Sequence, residues 1–344
     1  MKQNLTISKF ALVAILLLTV SQAFSGILTV SNNTAISAQY SSVSAAFTAA
    51  NPGDTVFIHG SPTSYGDVTL NKKLVVIGPG YIPTNPTSPS AVLGYFSLDT
   101  LVGVSGASGT YVAGLYISNF NTTSNYNGRI LNNITVRRCE ISSYFTIGYS
   151  NTEVHNWLVY ENLINYLSYS INTSSSTNIL INNNILNYSY NIYKSIYTNN
   201  VTYNNPTFSY CTVQNCIFVT AVNTNNTSDH NTFNKNLFSS AITFTNGTNT
   251  FSPALVANTT TGNADPQFNG GTGTTYLSIA DYHLKVASAG HIAGTDGTDL
   301  GVYGGTGFNW GGTPPVPMIY FYNLTPNYVQ SNGTLNITVS VKNQ

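Results

Sequence analysis

Between Asn132 and Phe238 one short pattern returns at a nearly constant interval, and little else in the chain constrains the fold as tightly. The segments ITVRRCEI, WLVYENLI, ILINNNIL, CTVQNCIF and NTFNKNLF can be written under one another. Their third places are Val136, Val159, Ile181, Val213 and Phe233. Three places on stand Cys139, Asn162, Asn184, Cys216 and Asn236, and two further stand Ile141, Ile164, Leu186, Phe218 and Phe238. A weaker copy, with Val112, Leu115 and Ile117, precedes them. From Val112 to Phe233 the steps are 24, 23, 22, 32 and 20 residues. Such a period with short β-rich units is the signature of a solenoid.

Which solenoid follows from the residues inside each unit. Leucine-rich repeats would place Leu at fixed positions before helical arcs, and neither is present. Here β-branched and aromatic residues alternate with polar ones, as in strands. The step of three between two inward columns, where alternation gives two, requires a bend between short strands. The expected fold is therefore all-β, a parallel β-helix whose coils stack at ~4.8 Å. The Asn column falls at that bend. A buried amide without partners costs ~1–3 kcal/mol, but stacked Asn side chains satisfy one another along the axis. Cys139 and Cys216 fill the same column as small buried apolar groups. The 32-residue step is read as a long excursion between Leu186 and Cys211, which places Cys139 and Cys216 three coils and roughly 14 Å apart. That is beyond the ~7 Å a disulfide allows, so all three cysteines, Cys211 included, are expected as free buried thiols.

Composition narrows the setting. Only 6% of residues are charged and the net charge is zero, which excludes a nucleic-acid surface built on basic residues. A hydrophobic content of 42% argues for a packed core rather than disorder. Lys2, Lys9, the apolar run Ala11–Val20 and Ser21-Gln22-Ala23 read as a secretory signal peptide over 1–23. The run is too short for a confident membrane span. The expected order is then a β-helix domain over 27–310, a Gly/Pro linker over 311–317 and a β segment over 318–344, in an exported monomer with no membrane span. Val43, Ala46 and Phe47 mark an amphipathic helix over Ser41–Ala50, the natural cap for an open solenoid end.

After that helix come NPGDTVFIHG and YGDVTLNKKLVVIGPGY, and near the end stand Asp265-Pro266-Gln267-Phe268 and DYHLKVASAGHIAGTDGTDLGVYGG. These stretches resemble the opening and the closing coils of secreted right-handed β-helix proteins of the pectin-lyase-like group, mostly uncharacterised members of Bacteroidetes type. The resemblance covers about residues 27 to 306, and it supplies the right hand of the helix. It implies fold and export, and leaves activity open because the group holds lyases, hydrolases and adhesins. Its lyases hold calcium with clustered carboxylates and abstract a proton with Arg or Lys; its hydrolases use close-set Asp residues. No such motif can be laid on Asp54, Asp67, Asp99, Asp265 or Asp281. The GTDGTDLG turn, with Asp296 and Asp299, lacks the ligand density of a calcium loop, and no cofactor is expected.

Three constellations could carry function. Arg137, Arg138 and Glu140 share a coil, Tyr160 and Glu161 occupy the next, and Glu153 and His155 lie in the turn between. In register Arg138 stands under Glu161 and Arg137 under Tyr160. This predicts either an exposed salt bridge with a cation–π contact, each worth at most ~1 kcal/mol, or an acid/base site in which Arg138 neutralises a uronate. Tyrosines form the second: Tyr160, Tyr166, Tyr188, Tyr190, Tyr193 and Tyr197, with Tyr144, Tyr149, Tyr169, Tyr203 and Tyr210 nearby, could stack on sugars. The third is an outward apolar column, Tyr116, Leu163, Ile185, Ile217 and Leu237, either a contact surface or covered by another part of the chain. The leading expectation is a non-catalytic binding or structural protein directed at a polysaccharide or cell-surface glycan. A lyase or hydrolase acting on an acidic glycan is the alternative, and an ice-binding solenoid a weaker one.

Overall fold

The computed structural model describes residues 25–342 apart from 83–88, 100–105, 123–128, 149–151, 170–175, 205, 221–229, 239–248, 252–254, 257–265, 272–274, 315–317 and 326–335. The expected signal peptide lies outside the described residues, as does the turn at Ser331-Asn332-Gly333. The chain is a right-handed parallel β-helix. Two long all-parallel sheets run along the axis, one of 11 strands and one of 10, and each coil contributes one short strand to each. Successive coils stay in register: Val112 pairs with Val136, Val136 with Val159 and Val159 with Ile181 in the first sheet, while Ile117, Ile141, Ile164 and Leu186 align in the second. Parallel strands buried on the inner side bring apolar residues onto one axial column.

At the corner between the sheets the Asn column forms one internal row. Asn162 and Asn184 are fully buried. The Asn162 backbone N–H and Nδ2 both donate to Asn184 Oδ1 at 3.0 Å, and Asn184 repeats the pattern onto Asn200 Oδ1 at 2.8 and 3.1 Å. Each Nδ2 also reaches a backbone carbonyl of the preceding coil, Val136 for Asn162 and Val159 for Asn184. Asn200 corrects the sequence reading. The segment between Leu186 and Cys211 is not an excursion but a further coil, with strands Ser195–Thr198 and Val201–Asn204. The row is Cys139, Asn162, Asn184, Asn200, Cys216, Asn236, with steps of 23, 22, 16, 16 and 20 residues. Two 16-residue coils hide in the 32-residue step, and Cys139 and Cys216 stand four coils apart rather than three. A second internal row, in which Cys211 N–H donates to Asn231 Oδ1 and Asn231 N–H to Asn249 Oδ1, marks another corner.

Backbone conformation explains why the corners recur. The residue before each row member is left-handed, namely Arg138, Glu161, Asn183, Asn199, Asn215 and Lys235, as is Gly114 before Leu115 one coil earlier. Gly and Asn tolerate that region; other residues pay about 1–2 kcal/mol. The corner N–H groups donate to the last strand residue of the next coil, as Glu161 does to Asn182 O and Asn183 to Thr198 O, so the ladder continues unbroken around the bend.

The ends differ from one another. Helix Val43–Ala49 buries Val43, Ala46 and Phe47 against the first coil, and its N-cap Ser42 Oγ accepts from Ala45 N–H. Phe47 meets Phe96 edge-on at 6.1 Å. The stretch 266–314 corrects the expectation of closing coils. Its only bridge among the described residues is antiparallel, Phe268 with Leu284. It forms a strap that runs back along the outside of the solenoid. Phe268, Tyr282, Leu284, Leu300 and Val302 bury the outward column of Leu163, Ile185, Val201, Ile217 and Leu237. That column is thus covered by the chain itself. Gly311, Gly312, Thr313 and Pro314, read from composition as the start of a linker, are buried against the solenoid. Beyond them Met318–Thr325 and Asn336–Lys342 pair as an antiparallel hairpin.

Two tests follow from the row. Replacing Asn184 by Ala strips partners from Asn162 and from carbonyls inside the coil and should cost about 2–4 kcal/mol, whereas Asn182→Ala on the outer face should cost under ~1 kcal/mol; thermal unfolding of both variants checks this. Burial pushes the thiols of Cys139, Cys211 and Cys216 up to about 12, while unfolded thiols ionise near about 8.5. Above that pH the unfolded chain releases protons that the folded chain retains, so the thiols' contribution is intact below about pH 8.5 and is lost as pH rises toward 12. Stability measured by denaturant titration should decline over that window, and a thiol reagent should modify none of the three until the chain unfolds.

Candidate functional site

The first corner is also where the strap docks. Asn183 Nδ2 donates to Val302 O at 2.7 Å and Gly304 O at 2.8 Å. Asn215 exchanges two bonds with Thr295 at 3.0 Å each and accepts Gly301 N–H at 2.8 Å on its carbonyl. Lys235 Nζ reaches Gly294 O. Asn183 and Asn215, which suit a left-handed corner, thus also hold the strap, and Lys235 adds a further contact.

Three coils break the Asn/Gly preference at this corner, those of Arg138, Glu161 and Lys235, with φ of 51°, 57° and 47°. Strained backbone kept against local preference concentrates at functional sites. Glu161 accepts from Arg137 Nη2 at 2.7 Å and from Arg138 Nε at 2.5 Å, one guanidinium on each carboxylate oxygen. Arg138 Nη1 also donates to Thr313 O of the strap at 2.8 Å. The side chains of Arg138 and Glu161 are 8% and 5% exposed, so the expectation of an exposed salt bridge is corrected: the strap buries it. A buried pair is worth far more to leave intact than to break, at about 3–5 kcal/mol for losing one partner. The expected register holds, with Arg137 opposite Tyr160 and its guanidinium 4.5 Å from the Tyr160 ring centre. Burial pushes the Tyr160 hydroxyl up, against the lowering effect of Arg137.

Above this ion pair the strap leaves a pocket of about 500 Å³. Arg138, Glu161, Thr306 and Asn309 form its polar part; His283, Tyr303, Phe308 and Trp310 stand around them. His283 stacks on Tyr303 with ring centres 3.5 Å apart and is paired with Asp281 Oδ1 at 2.6 Å. Burial and then the nearby Asp281 carboxylate push the Tyr303 hydroxyl up to about 12, so it stays a donor. Gly312 lets the strap close: its φ is +68°, and a side chain there would strike the Tyr81 ring and the Arg138 carbonyl. The strap residues were not expected at the site. The one signal in the sequence was composition, since FNWGGTPP places two aromatics beside a Gly/Pro turn, but nothing local said which corner they would meet.

The remaining candidates separate. Glu153 and His155 sit on a short strand paired with Arg129–Asn132, 3.6 Å from one another, with His155 bonded to Thr177 Oγ1. They do not line the pocket. Tyr197 is wholly buried, its hydroxyl within 2.5 Å of Thr202 Oγ1; as a ligand contact it is corrected to a core residue of the coil the sequence reading missed. Tyr193 is half-buried beside Tyr210 and Lys194. By contrast Tyr144, Tyr166 and Tyr188 align in register on the second sheet's outer face, with ring centres 5.2 and 5.8 Å apart. Tyr144, Tyr188 and the neighbouring Tyr190 are exposed. A Thr row on the first sheet, Thr212, Thr232 and Thr250, is preceded in the same column by Leu158, Leu180 and Ile196.

Among the described residues no group of three or more His, Cys, Asp or Glu is placed to hold a metal ion, and no helix is long and apolar enough to cross a membrane.

Breaking the ion pair should loosen the strap. Arg138→Ala is expected to lose about 2–4 kcal/mol, since Arg137 still holds Glu161, and to expose 301–314 to limited proteolysis and hydrogen exchange before the coils open. Arg138→Lys should restore little, because an ammonium cannot span the Glu161 carboxylate and the Thr313 carbonyl with a planar fork. No known family model matches this chain, and no curated protein is detectably similar to it.

Proposed function

We propose that this is an exported, non-catalytic β-helix protein that binds a polysaccharide or a cell-surface glycan on its outer face. The observation that carries this reading is the in-register stack Tyr144–Tyr166–Tyr188. Three aligned rings on a rigid sheet, repeating at the coil spacing, offer apolar plates with a hydroxyl at the rim, and they lose little conformational freedom on contact. The period matches a polymer of ring-shaped units laid along the solenoid axis better than a compact ligand. Export rests on the N-terminal Lys2, Lys9 and apolar run. Beside the rings, Asn204 Nδ2 donates to Asn187 Oδ1 and Asn187 Nδ2 to Asn165 Oδ1, at 2.8 Å each. These amides fix a polar border along the tyrosines.

The second reading, a lyase or hydrolase for an acidic glycan, draws support from the convergence of Arg137, Arg138 and Glu161. It is weakened because both Glu161 oxygens are already held by guanidinium groups, and because Glu153 and His155 stand elsewhere. A glycan array screened with the mature chain, followed by an ultraviolet assay for unsaturated products on every bound polysaccharide, separates the two. Binding without product release is expected. Tyr144→Ala, Tyr166→Ala and Tyr188→Ala should each weaken binding about 5- to 30-fold, or about 1–2 kcal/mol, with unchanged melting. Retained affinity in the triple variant, or product release that Arg138→Ala abolishes, would replace this reading.

A further inference from the structure

The strap pocket lies apart from the tyrosine stack. The column of Leu163 and Ile185, which the strap covers, lies between the Glu161 corner and Tyr166. The pocket's volume of about 500 Å³ suits one or two sugar rings and falls in the range of specific small-molecule sites. Its fixed charges balance two for two: the guanidinium groups of Arg137 and Arg138 share the Glu161 carboxylate, and the Asp281 carboxylate stands against His283. Arg137 holds the second Glu161 oxygen while its guanidinium lies over Tyr160. The wall is aromatic, and Trp310 at 37% exposed presents open ring surface. The floor is rigid and polar, because every charged group in it is already held by a partner. Such a combination gives little attraction to a free anion. It favours a flat, neutral, hydroxyl-rich ring: CH groups against Trp310 or Phe308, hydroxyls toward the Glu161 oxygens, the Arg138 guanidinium and the Tyr303 hydroxyl.

We infer that the pocket between the strap and the Arg138–Glu161 corner binds a neutral pyranose. The site depends on the strap, and so the ligand bridges two parts of the chain that are far apart in sequence. Binding should therefore also hold the strap down.

The chain itself provides the probe. It has two tryptophans, and Trp157 is 1% exposed, its Nε1 donating to Leu131 O at 2.9 Å. Only Trp310 can report a ligand at the surface. Titration of the intact chain with glucose, galactose, mannose and N-acetylglucosamine, with glucuronate as the charged comparison, should change tryptophan emission saturably for at least one neutral sugar. A Kd near or below about 10 mM is anticipated for a site of this size. By calorimetry or ligand-observed NMR, Trp310→Ala should weaken that sugar at least tenfold, and Trp310→Phe less. Tyr188→Ala should leave it unchanged, which keeps failure here distinct from failure of the tyrosine stack. The idea is overturned if no neutral sugar gives saturable binding at about 100 mM, if glucuronate binds and its neutral parent does not, or if Trp310→Ala binds as the parent does. Should Trp310→Ala lose its fold, Phe308→Ala read by Trp310 emission gives the same decision.

Discussion

Every coil must turn a corner inside its own core, and the turn leaves backbone N–H groups facing a space without water. That constraint governs the rest. A buried amide side chain at the turn answers it twice over, because its oxygen receives the backbone and side-chain N–H groups of the coil below and its nitrogen seeks a carbonyl there. Cysteine also serves, since the Cys139 and Cys216 N–H groups still find the Asn162 and Asn236 oxygens and Cys216 Sγ accepts from the Asn200 N–H. Once the inner side of the corner is satisfied, the outer residue is forced into the left-handed region, and outward amides and glycines follow. Sheet register, core columns and the strap's landing sites are all set by that one local solution.

The same constraint shows where the fold could be read from the chain alone and where it could not. The triplet of an inward β-branched residue, a corner Asn three places on and an apolar residue two further was legible because each part answers a local demand. The short coils were not. Tyr197 stands at the inward place where Val or Ile stands elsewhere, and its hydroxyl finds Thr202 inside, so a polar-tipped ring disguised a core strand as a binding loop. Asn200 was overlooked for the same reason, although it obeys the pattern. The covering of the outward column was one of two options the sequence left open. The strap that decides it, Phe268 to Val302, carries no strand period, and its contacts are long-range packing rather than local preference.

At the candidate site, the pairing of Arg137 with Tyr160 and of Arg138 with Glu161 was visible as soon as the coils were set in register. Their burial was not, because it depends on Thr313, 175 residues further on. A surface ion pair and a buried one share one sequence. What separates them is whether another segment excludes water, and that segment belongs to a part of the chain with no repeat to anchor it.

Stacked-coil proteins are near one-dimensional systems, in which each unit answers mainly to its neighbours and the far end can fray while the near end stands. The return path of the strap changes that. By crossing from the Leu237 coil to the Arg138 coil and on to Tyr81, it adds a second connection in parallel with the stacked backbone. The loss of one middle coil must then also release contacts several coils away. The chain becomes a closed mechanical loop rather than an open stack, and the middle of the solenoid is expected to melt as one cooperative block.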